Sequence, residues 1–446
     1  MGWLSDLTGK APPPKAAPVS ISLPNIPGLS RSKIQLPDLH HPYVQIGAAS
    51  LGTLLLLGTV STVLRSAPPR IVPSPAKSKL PQLTEEEVQQ LPYPPDALPG
   101  ARDVQSPYGT VRVYEWGPED GDKILLIHGI STPGIAMADL AHKLVRRGCR
   151  VMMFDLFGRG YSDGPSPLHQ HYDSRLYFSQ ILLCLQSSPI SWSGHRSFTI
   201  IGYSLGGAIA ADFTSYFPYQ VCGLVLVAPG GLIRTKNITF KSKLLYQSSW
   251  LPEWMVHRMV ANRLWTGQLN VNTAEPEPEA IENAETTTSK DADTRSDHEG
   301  GAAVFLTSNK KLLRHKPQST VSNVVDWQVL HHKGFVPAFV SSIRYAPVHE
   351  QHERWAVIKE NIEAGKGPLK EVWLVLGETD PIIIKEELIE DATAVLGEDN
   401  LQVRVVEGAG HEVAVERADE VVQVVGSVLG WHKKPHKDKS KKRSFF

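Results

Sequence analysis

Cysteine is nearly absent from this chain, whose 446 residues include only Cys149, Cys184 and Cys222. Three cysteines cannot build a disulfide scaffold, and no CxxC pair is present to hold a structural zinc ion. Net charge is also absent, because 46 basic side chains balance 46 acidic ones. A dedicated nucleic-acid-binding protein would show a basic excess, so we expect no nucleic acid among the partners.

Apolar residues, by contrast, are plentiful: 41% of the chain is hydrophobic and ten residues are tryptophan. This content supports a large packed core and excludes wholesale disorder. The neutral charge is an average over unlike segments. Residues 272–301 are acidic and poor in large apolar side chains, which predicts a disordered insert. Residues 432–446 form a basic tail, either a solvated surface or a segment attracted to anionic lipid.

One long uncharged run stands near the N-terminus, from Tyr43 to Leu64. As a helix it would extend about 33 Å, enough to cross the hydrocarbon core of a bilayer. We therefore predict a disordered arm over residues 1–43, a single transmembrane helix over 44–64 and a proline-rich linker over 65–94. The alternatives are a buried helix of the folded domain and a cleaved signal peptide, although the polar segment before the run is too long for the latter.

The rest of the chain alternates short apolar runs with helical patterns. Continuous runs rich in Val, Ile and Leu are typical of strands buried on both faces, so they predict a doubly wound α/β domain with a mostly parallel sheet. The runs are Lys123–His128, Val151–Asp155, Ser197–Tyr203, Val221–Val227, Glu371–Gly377 and Leu401–Glu407. Thr110–Trp116 instead alternates apolar and polar residues, which predicts an antiparallel edge strand with one wet face.

A G-x-S-x-G motif, Gly202-Tyr203-Ser204-Leu205-Gly206, ends one predicted strand and opens a helical stretch. A nucleophile on such a turn stands clear of the sheet. The turn is tight, and the two glycines remove Cβ atoms that would clash there. We predict that Ser204 is the nucleophile of a hydrolytic reaction.

A serine hydroxyl needs a base to accept its proton, and the base needs a carboxylate to hold its tautomer. His411 follows the run Leu401–Glu407 and is the candidate base. Asp380 follows the run Glu371–Gly377, at the sheet edge where such folds place their sites. We favour Asp380 as the acid, with Glu378 as its competitor.

The oxyanion of a tetrahedral intermediate needs hydrogen-bond donors. The backbone N–H of Leu205, which follows the nucleophile, is one candidate, and the N–H of Ile130 after the run Lys123–His128 is the other. We expect no metal, because the paired histidines of the chain lack an HExxH pattern and a third ligand.

Several sequence blocks together resemble the α/β-hydrolase superfamily in its serine-hydrolase branch. They are LLIHGIS at 125–131, DLFGRGYSD at 155–163, IIGYSLGGA at 200–208, LGETDPI at 376–382 and GAGHE at 408–412. The order Ser204, Asp380, His411 is the one expected for that triad. The resemblance implies an eight-stranded sheet, no cofactor and a helical cap between two halves of the core. The halves would be residues 95–231 and 346–431, and the cap residues 232–345.

These features predict a membrane-anchored serine hydrolase that cleaves lipid or other apolar esters through an acyl-enzyme. Two alternatives stay open: a triad enzyme acting by acyl transfer or on an amide, thioester or C–C bond, and a non-catalytic membrane scaffold. The apolar residues of 243–265 form either the cap's own core or an acyl-chain pocket. More Lys and Arg follow the predicted span than precede it, which favours a cytosolic catalytic domain. The acceptor Asn237-Ile238-Thr239 would favour a luminal one.

Overall fold

The computed structural model describes residues 69–194, 197–238, 240–247, 251–267 and 308–431, and scattered positions between 42 and 56. The chain divides into two units, residues 1–68 and 69–446. In the first unit the described positions are helical. Over the described residues, no helix has the length and apolarity that a membrane crossing requires. Most of the predicted arm and span, and all of the acidic insert and basic tail, lie outside the described residues.

The core of the second unit is an eight-stranded sheet in the order β10-β9-β8-β7-β4-β5-β3-β2. All neighbours are parallel except the pairs β2–β3 and β3–β5. The strands are β2 Ala101–Val104, β3 Val111–Trp116, β4 Lys123–Ile127, β5 Arg150–Phe154, β7 Phe198–Tyr203, β8 Val221–Val227, β9 Val372–Gly377 and β10 Leu401–Val406. A separate antiparallel pair joins β1 Ile71–Val72 to β6 Gly164–Pro165. The mostly parallel sheet predicted from the apolar runs is therefore confirmed, with each run within one residue of its strand.

Helices connect these strands. In chain order they are α1 Pro75–Ser78, α2 Glu85–Gln89, α3 Ala138–Arg146, α4 Ser174–Gln186, α5 Leu205–Tyr216, α6 Phe240–Gln247, α7 Glu253–Leu264, α8 Val321–His331, α9 Phe335–Tyr345, α10 His352–Glu363, α11 Lys385–Leu396, α12 Val413–Glu416 and α13 Ala418–Val428. The crossover from β4 to β5 and the crossover from β7 to β8 run in opposite directions along the sheet. Because right-handed crossovers then place α3 and α5 on opposite faces, the sheet is doubly wound.

The strand β3 differs from its prediction. It is antiparallel, but β2 pairs outside it and nearly all its residues are buried, so it is neither an edge strand nor wet on one face. Its polar residues are buried because they are paired. Glu115 accepts from Arg150 at 3.0 Å and from Arg102 at 2.8 Å, and Arg112 pairs with Asp103 at 2.6 Å. Alternation alone cannot distinguish a wet face from a buried face with internal partners.

The segment predicted as a proline-rich linker over 65–94 is instead packed against the core from β1 onward. Tyr93 is fully buried, and its hydroxyl bonds to Tyr114 Oη at 2.7 Å and Asp155 Oδ1 at 3.2 Å. The Ser74 N–H donates to Asp163 Oδ1 at 2.8 Å. Proline spacing concealed these contacts, since each of them depends on a residue far away in the chain.

Between β8 and β9 the chain forms the four helices α6 to α9. Their apolar residues pack on one another in a buried group that we call the cap cluster. Its members are Leu245, Val256, Val260, Leu264, Val325, Phe335, Val336, Phe339 and Val340. Ile130, in the loop after β4, packs against this cluster. The buried residues of α6 and α7 therefore contribute to a core of these helices, as one of the two interpretations of residues 243–265 expects.

Candidate active site

Ser204 occupies the sharp turn between β7 and α5. Its φ is 54° and its ψ is −116°, a strained conformation for a residue with a side chain. The glycines of the motif permit the turn: a Cβ on Gly202 would lie 2.2 Å from Gly206 O, and one on Gly206 would lie 2.1 Å from Ile127 O. Any other residue at either position would force the turn apart and displace the Ser204 hydroxyl.

The structure brings Ser204, His411 and Asp380 into one hydrogen-bonded line. His411 Nε2 lies 2.9 Å from Ser204 Oγ, and its Nδ1 lies 2.8 Å from Asp380 Oδ2. His411 is buried, with 4% of the residue exposed. An imidazole that donates from Nδ1 to a carboxylate has Nε2 free to accept a proton, which is the tautomer a general base needs.

Asp380 is held for this role by its own loop. Its Oδ1 accepts from the N–H groups of Ile382 at 2.8 Å and Ile383 at 2.9 Å. Burial alone would raise the pKa of Asp380, but His411 and these two N–H groups outweigh it and lower the pKa below its usual value. The carboxyl therefore stays ionised opposite the imidazole.

Glu378, the competing acid, does not contact His411. Its side chain is exposed and its Oε2 accepts from Gly408 N at 2.9 Å, which ties the acid loop to the histidine loop. Thr379 adds a second tie, since its N–H donates to Ala409 O at 2.9 Å. Glu378 thus lies beside the turn that leads to His411 rather than at the imidazole.

The two predicted oxyanion donors lie on adjacent strands, at the point where the strand order reverses. Leu205 is the first residue of α5, where a backbone N–H has no partner within the helix. The loop after β4 reaches the nucleophile directly, because a Cβ on Gly129 would lie 3.3 Å from Ser204 Cβ. Ile130 follows Gly129 in that loop, so its N–H and that of Leu205 flank Ser204.

His128 has a structural role in the same loop. Its Nε2 accepts from Leu156 N at 2.8 Å, which leaves Nδ1 to donate to Gly129 O at 2.7 Å. Burial lowers the pKa of His128 to about 3, so the ring is neutral and unavailable as a second base near neutral pH.

Two residues that the sequence analysis did not single out hold the oxyanion loop from below and above. Arg159 is fully buried; its Nε donates to Ile130 O at 3.1 Å and its Nη2 to Ser342 Oγ in α9 at 2.7 Å. Gln328 of α8 donates to Ser131 O at 2.9 Å. The only sequence signal was the position of Arg159 in the DLFGRGYSD block. The partners of both residues lie more than a hundred residues away.

A small apolar recess lies beside the acid loop. Ile382 and Ile383, whose N–H groups hold Asp380, line it together with Leu232, Ile233 and Leu388. Within the part of the chain that the structure describes, no three His, Cys, Asp or Glu side chains are grouped to hold a metal ion.

Comparison with known proteins agrees with this architecture. A model of the alpha/beta hydrolase family matches residues 124–424, well over half of the chain. Monoacylglycerol lipase ABHD6 of Rattus norvegicus is 23% identical over 245 residues, which cover 55% of this chain and 58% of that protein. Lipase LipV of Mycobacterium tuberculosis is 30% identical over 119 residues, 27% of this chain and 41% of the lipase. An uncharacterised protein of the same organism is 32% identical over 146 residues, 33% of this chain and 40% of that protein.

Among solved structures, a membrane phospholipase A described as a bacterial virulence factor is 19% identical with a TM-score of 0.49; the match covers 87% of this chain and all of that one. The chain spans less than two thirds of the length of the curated relatives named above. The family match extends from β4 to α13 and so includes the nucleophile turn, the acid loop and the histidine loop. The chain belongs to the alpha/beta hydrolase family.

Proposed function

We propose that this protein is a serine hydrolase of carboxylic esters, with Ser204 as nucleophile, His411 as base and Asp380 as the acid that orients it. The observation that carries the proposal is the unbroken line of hydrogen bonds from Ser204 Oγ through His411 to Asp380. A line of this geometry raises the nucleophilicity of a hydroxyl that is otherwise a weak nucleophile.

The reaction follows from the positions of these atoms. Ser204 Oγ attacks the ester carbonyl carbon while His411 Nε2 accepts the hydroxyl proton. The carbonyl oxygen becomes an oxyanion that accepts from the N–H groups of Leu205 and Ile130; loss of one such donor costs about 10²–10³ in kcat in related chemistry. His411 then donates its proton to the leaving alkoxide as the C–O bond breaks, which leaves an acyl ester on Ser204. A water molecule, deprotonated by His411, hydrolyses that ester and frees the acid.

Apolar acyl esters are the substrate class that we propose. The isoleucines beside Asp380 and the apolar recess they line lie next to the reacting hydroxyl, and the cap cluster packs on Ile130 of the oxyanion loop. Two of the relatives are named as lipases, one of them as a monoacylglycerol lipase. Apolar walls around a few polar groups are typical of sites for such ligands.

We further propose that residues 44–64 anchor the protein in a membrane, with the catalytic domain on the cytosolic side. The uncharged run and the excess of Lys and Arg after it support this topology. The candidate glycosylation site supports it as well: Asn237 Nδ2 donates to Glu387 Oε2 at 2.6 Å, a bond that a glycan on that nitrogen would have to break. A glycosidase-sensitive mass shift that disappears in Asn237→Gln would overturn the cytosolic assignment.

Labelling with a fluorophosphonate probe, followed by a series of acyl esters of increasing chain length, tests the proposed activity. Ser204→Ala should abolish labelling and lower kcat by about 10³ or more, because the triad acts as a unit. Ser427→Ala, a matched change on the exposed face of α13, should label and turn over like the parent. Undiminished labelling of Ser204→Ala in the folded protein would refute the assignment of the nucleophile.

A further inference from the structure

Glu412 directly follows His411 and has no part in the reaction described above. Its side chain is buried, with 6% of the residue exposed. Its Oε2 accepts from Ser308 Oγ at 2.6 Å, whereas its buried Oε1 has no partner among the described residues. A buried carboxyl with a single donor is a poor site for a full negative charge, because burial favours the protonated form.

Ser308 begins a segment, residues 308–320, that we call the strap. It leads into α8 and lies against the short helix that follows His411. Ser308 O accepts from the N–H of Ser322 at 3.1 Å and from its hydroxyl at 2.8 Å, so the start of the strap is bonded to α8. Lys310 Nζ pairs with Glu416 Oε2 at 3.1 Å, which gives the strap a second contact with α12.

The strap connects the base to the oxyanion loop. On one side Ser308 bonds to Glu412, the neighbour of His411. On the other side α8, to which Ser308 is bonded, carries Gln328 and its bond to the carbonyl of Ser131. A displacement of the strap would therefore disturb two of the elements that the reaction requires.

We propose that Glu412 is a positioning residue whose bond to Ser308 latches the strap to the histidine loop while Glu412 is protonated, and that the latch loosens when the proton leaves. The effect of the latch on turnover rests on the proposed ester hydrolysis, but the latch itself does not.

The charges around Glu412 favour protonation. Burial is the largest influence and raises the pKa of Glu412 from its ordinary 4.5 to about 7. Glu416 raises the pKa further, while the Ser308 hydroxyl and Lys310 lower it. Burial and Glu416 together outweigh the two groups that favour ionisation.

The other elements around Glu412 add no compensating cation. Tyr203 at the end of β7 and His411 face it from within the core. On α3, which packs against α12, Lys143 is already paired with Asp139 at 3.0 Å and with Asp419 at 2.7 Å. Ionised Glu412 thus has Lys310 as its one nearby cation among the described residues, and Lys310 is shared with Glu416.

The direction of the pH effect follows from linkage. With the strap docked, the pKa of Glu412 is about 7; with the strap undocked, the wet carboxyl regains its ordinary value. The docked state then holds more protons between these two values. Raising the pH through this window favours undocking by about tenfold per pH unit, and the effect levels off above about pH 7.

Amide hydrogen exchange of the full chain tests the latch without any need for turnover. We would measure protection factors over residues 308–322 between pH 5 and 8 in Ser204→Ala, after division by intrinsic rates. Protection should fall about tenfold per pH unit from about pH 5 to 7. In Glu412→Gln it should stay at the parent's low-pH level throughout. Glu407→Gln, which neutralises an exposed glutamate on the same loop, should follow the parent.

Ester kinetics in the Ser204 protein give a second measurement. The ratio of kcat/KM for a long-chain ester to that for a short one cancels the titration of His411, because both reactions use the same triad. A looser cap should admit the long ester more readily, so the ratio should rise toward pH 7 in the parent and stay constant in Glu412→Gln.

The same pH dependence of exchange in Glu412→Gln and its parent would overturn the latch. If that variant fails to fold, the pair Ser308→Ala and Ser308→Thr decides: the alanine variant should lose protection at pH 5.5 and the threonine variant should keep it. Full protection in Ser308→Ala would also overturn the proposal. A protein that cleaves no ester but shows the predicted exchange would refute the proposed function and leave the latch standing.

Discussion

The choice between Asp380 and Glu378 gives the sharpest test of the site, through the substitution Asp380→Asn. In the parent, Oδ1 accepts from the N–H groups of Ile382 and Ile383, and Oδ2 accepts from His411 Nδ1. Asparagine has one oxygen and one NH₂ group. Two N–H donors face the Oδ1 position, so the asparagine oxygen must take that place, and the NH₂ group must face His411.

An NH₂ group opposite Nδ1 reverses the tautomer of the imidazole. Nδ1 becomes the acceptor and Nε2 carries the proton, so His411 cannot accept the proton of Ser204. We expect kcat to fall by about 10⁴, as for the equivalent change in serine proteases, which corresponds to about 5.4 kcal/mol of transition-state stabilisation. The fold should survive, because the two N–H groups keep their acceptor.

The assay is kcat on a soluble ester, with circular dichroism and thermal unfolding as checks on folding. Glu378→Gln is the matched control. Its side-chain oxygen still accepts from Gly408 N, so kcat should change by less than about threefold, a difference of about 0.65 kcal/mol. A larger loss in Glu378→Gln than in Asp380→Asn, or near-normal turnover in Asp380→Asn, would refute the assignment of the acid.

Three further predictions concern packing, the oxyanion loop and the insert. Tyr93→Phe should lower the free energy of unfolding by about 1–3 kcal/mol in urea titrations, because buried Asp155 loses a donor; an unchanged midpoint would contradict the packed interpretation of this segment. Arg159→Lys should lower kcat by about tenfold, or about 1.4 kcal/mol, since one ammonium group cannot bond both Ile130 O and Ser342 Oγ; steady-state kinetics check this, and parent-like kcat would count against it. Deleting residues 274–300 should leave folding and short-ester turnover intact, because the segment offers few apolar side chains; loss of soluble expression would show that it packs.

Local sequence determined the core of this protein and the place of its nucleophile. The apolar runs predicted the strands because central strands of a parallel sheet are buried on both faces. The G-x-S-x-G motif located Ser204 because a turn this tight excludes a Cβ at either glycine. Asp380 and His411 could be predicted because the carboxyl ends of parallel strands meet at one edge of the sheet, so loops after β9 and β10 converge near the loop after β7.

Tertiary structure decided everything that depends on a partner distant in the chain. The sequence could not separate Asp380 from Glu378, which stand two residues apart; only the direction of each side chain relative to His411 and Gly408 does so. Nor could it show that β3 is buried, since charged residues on a strand reveal their exposure only once their ion-pair partners are placed. The positions of Arg159 and Glu412 follow from docking between elements far apart in sequence, and no local pattern encodes which surfaces will meet.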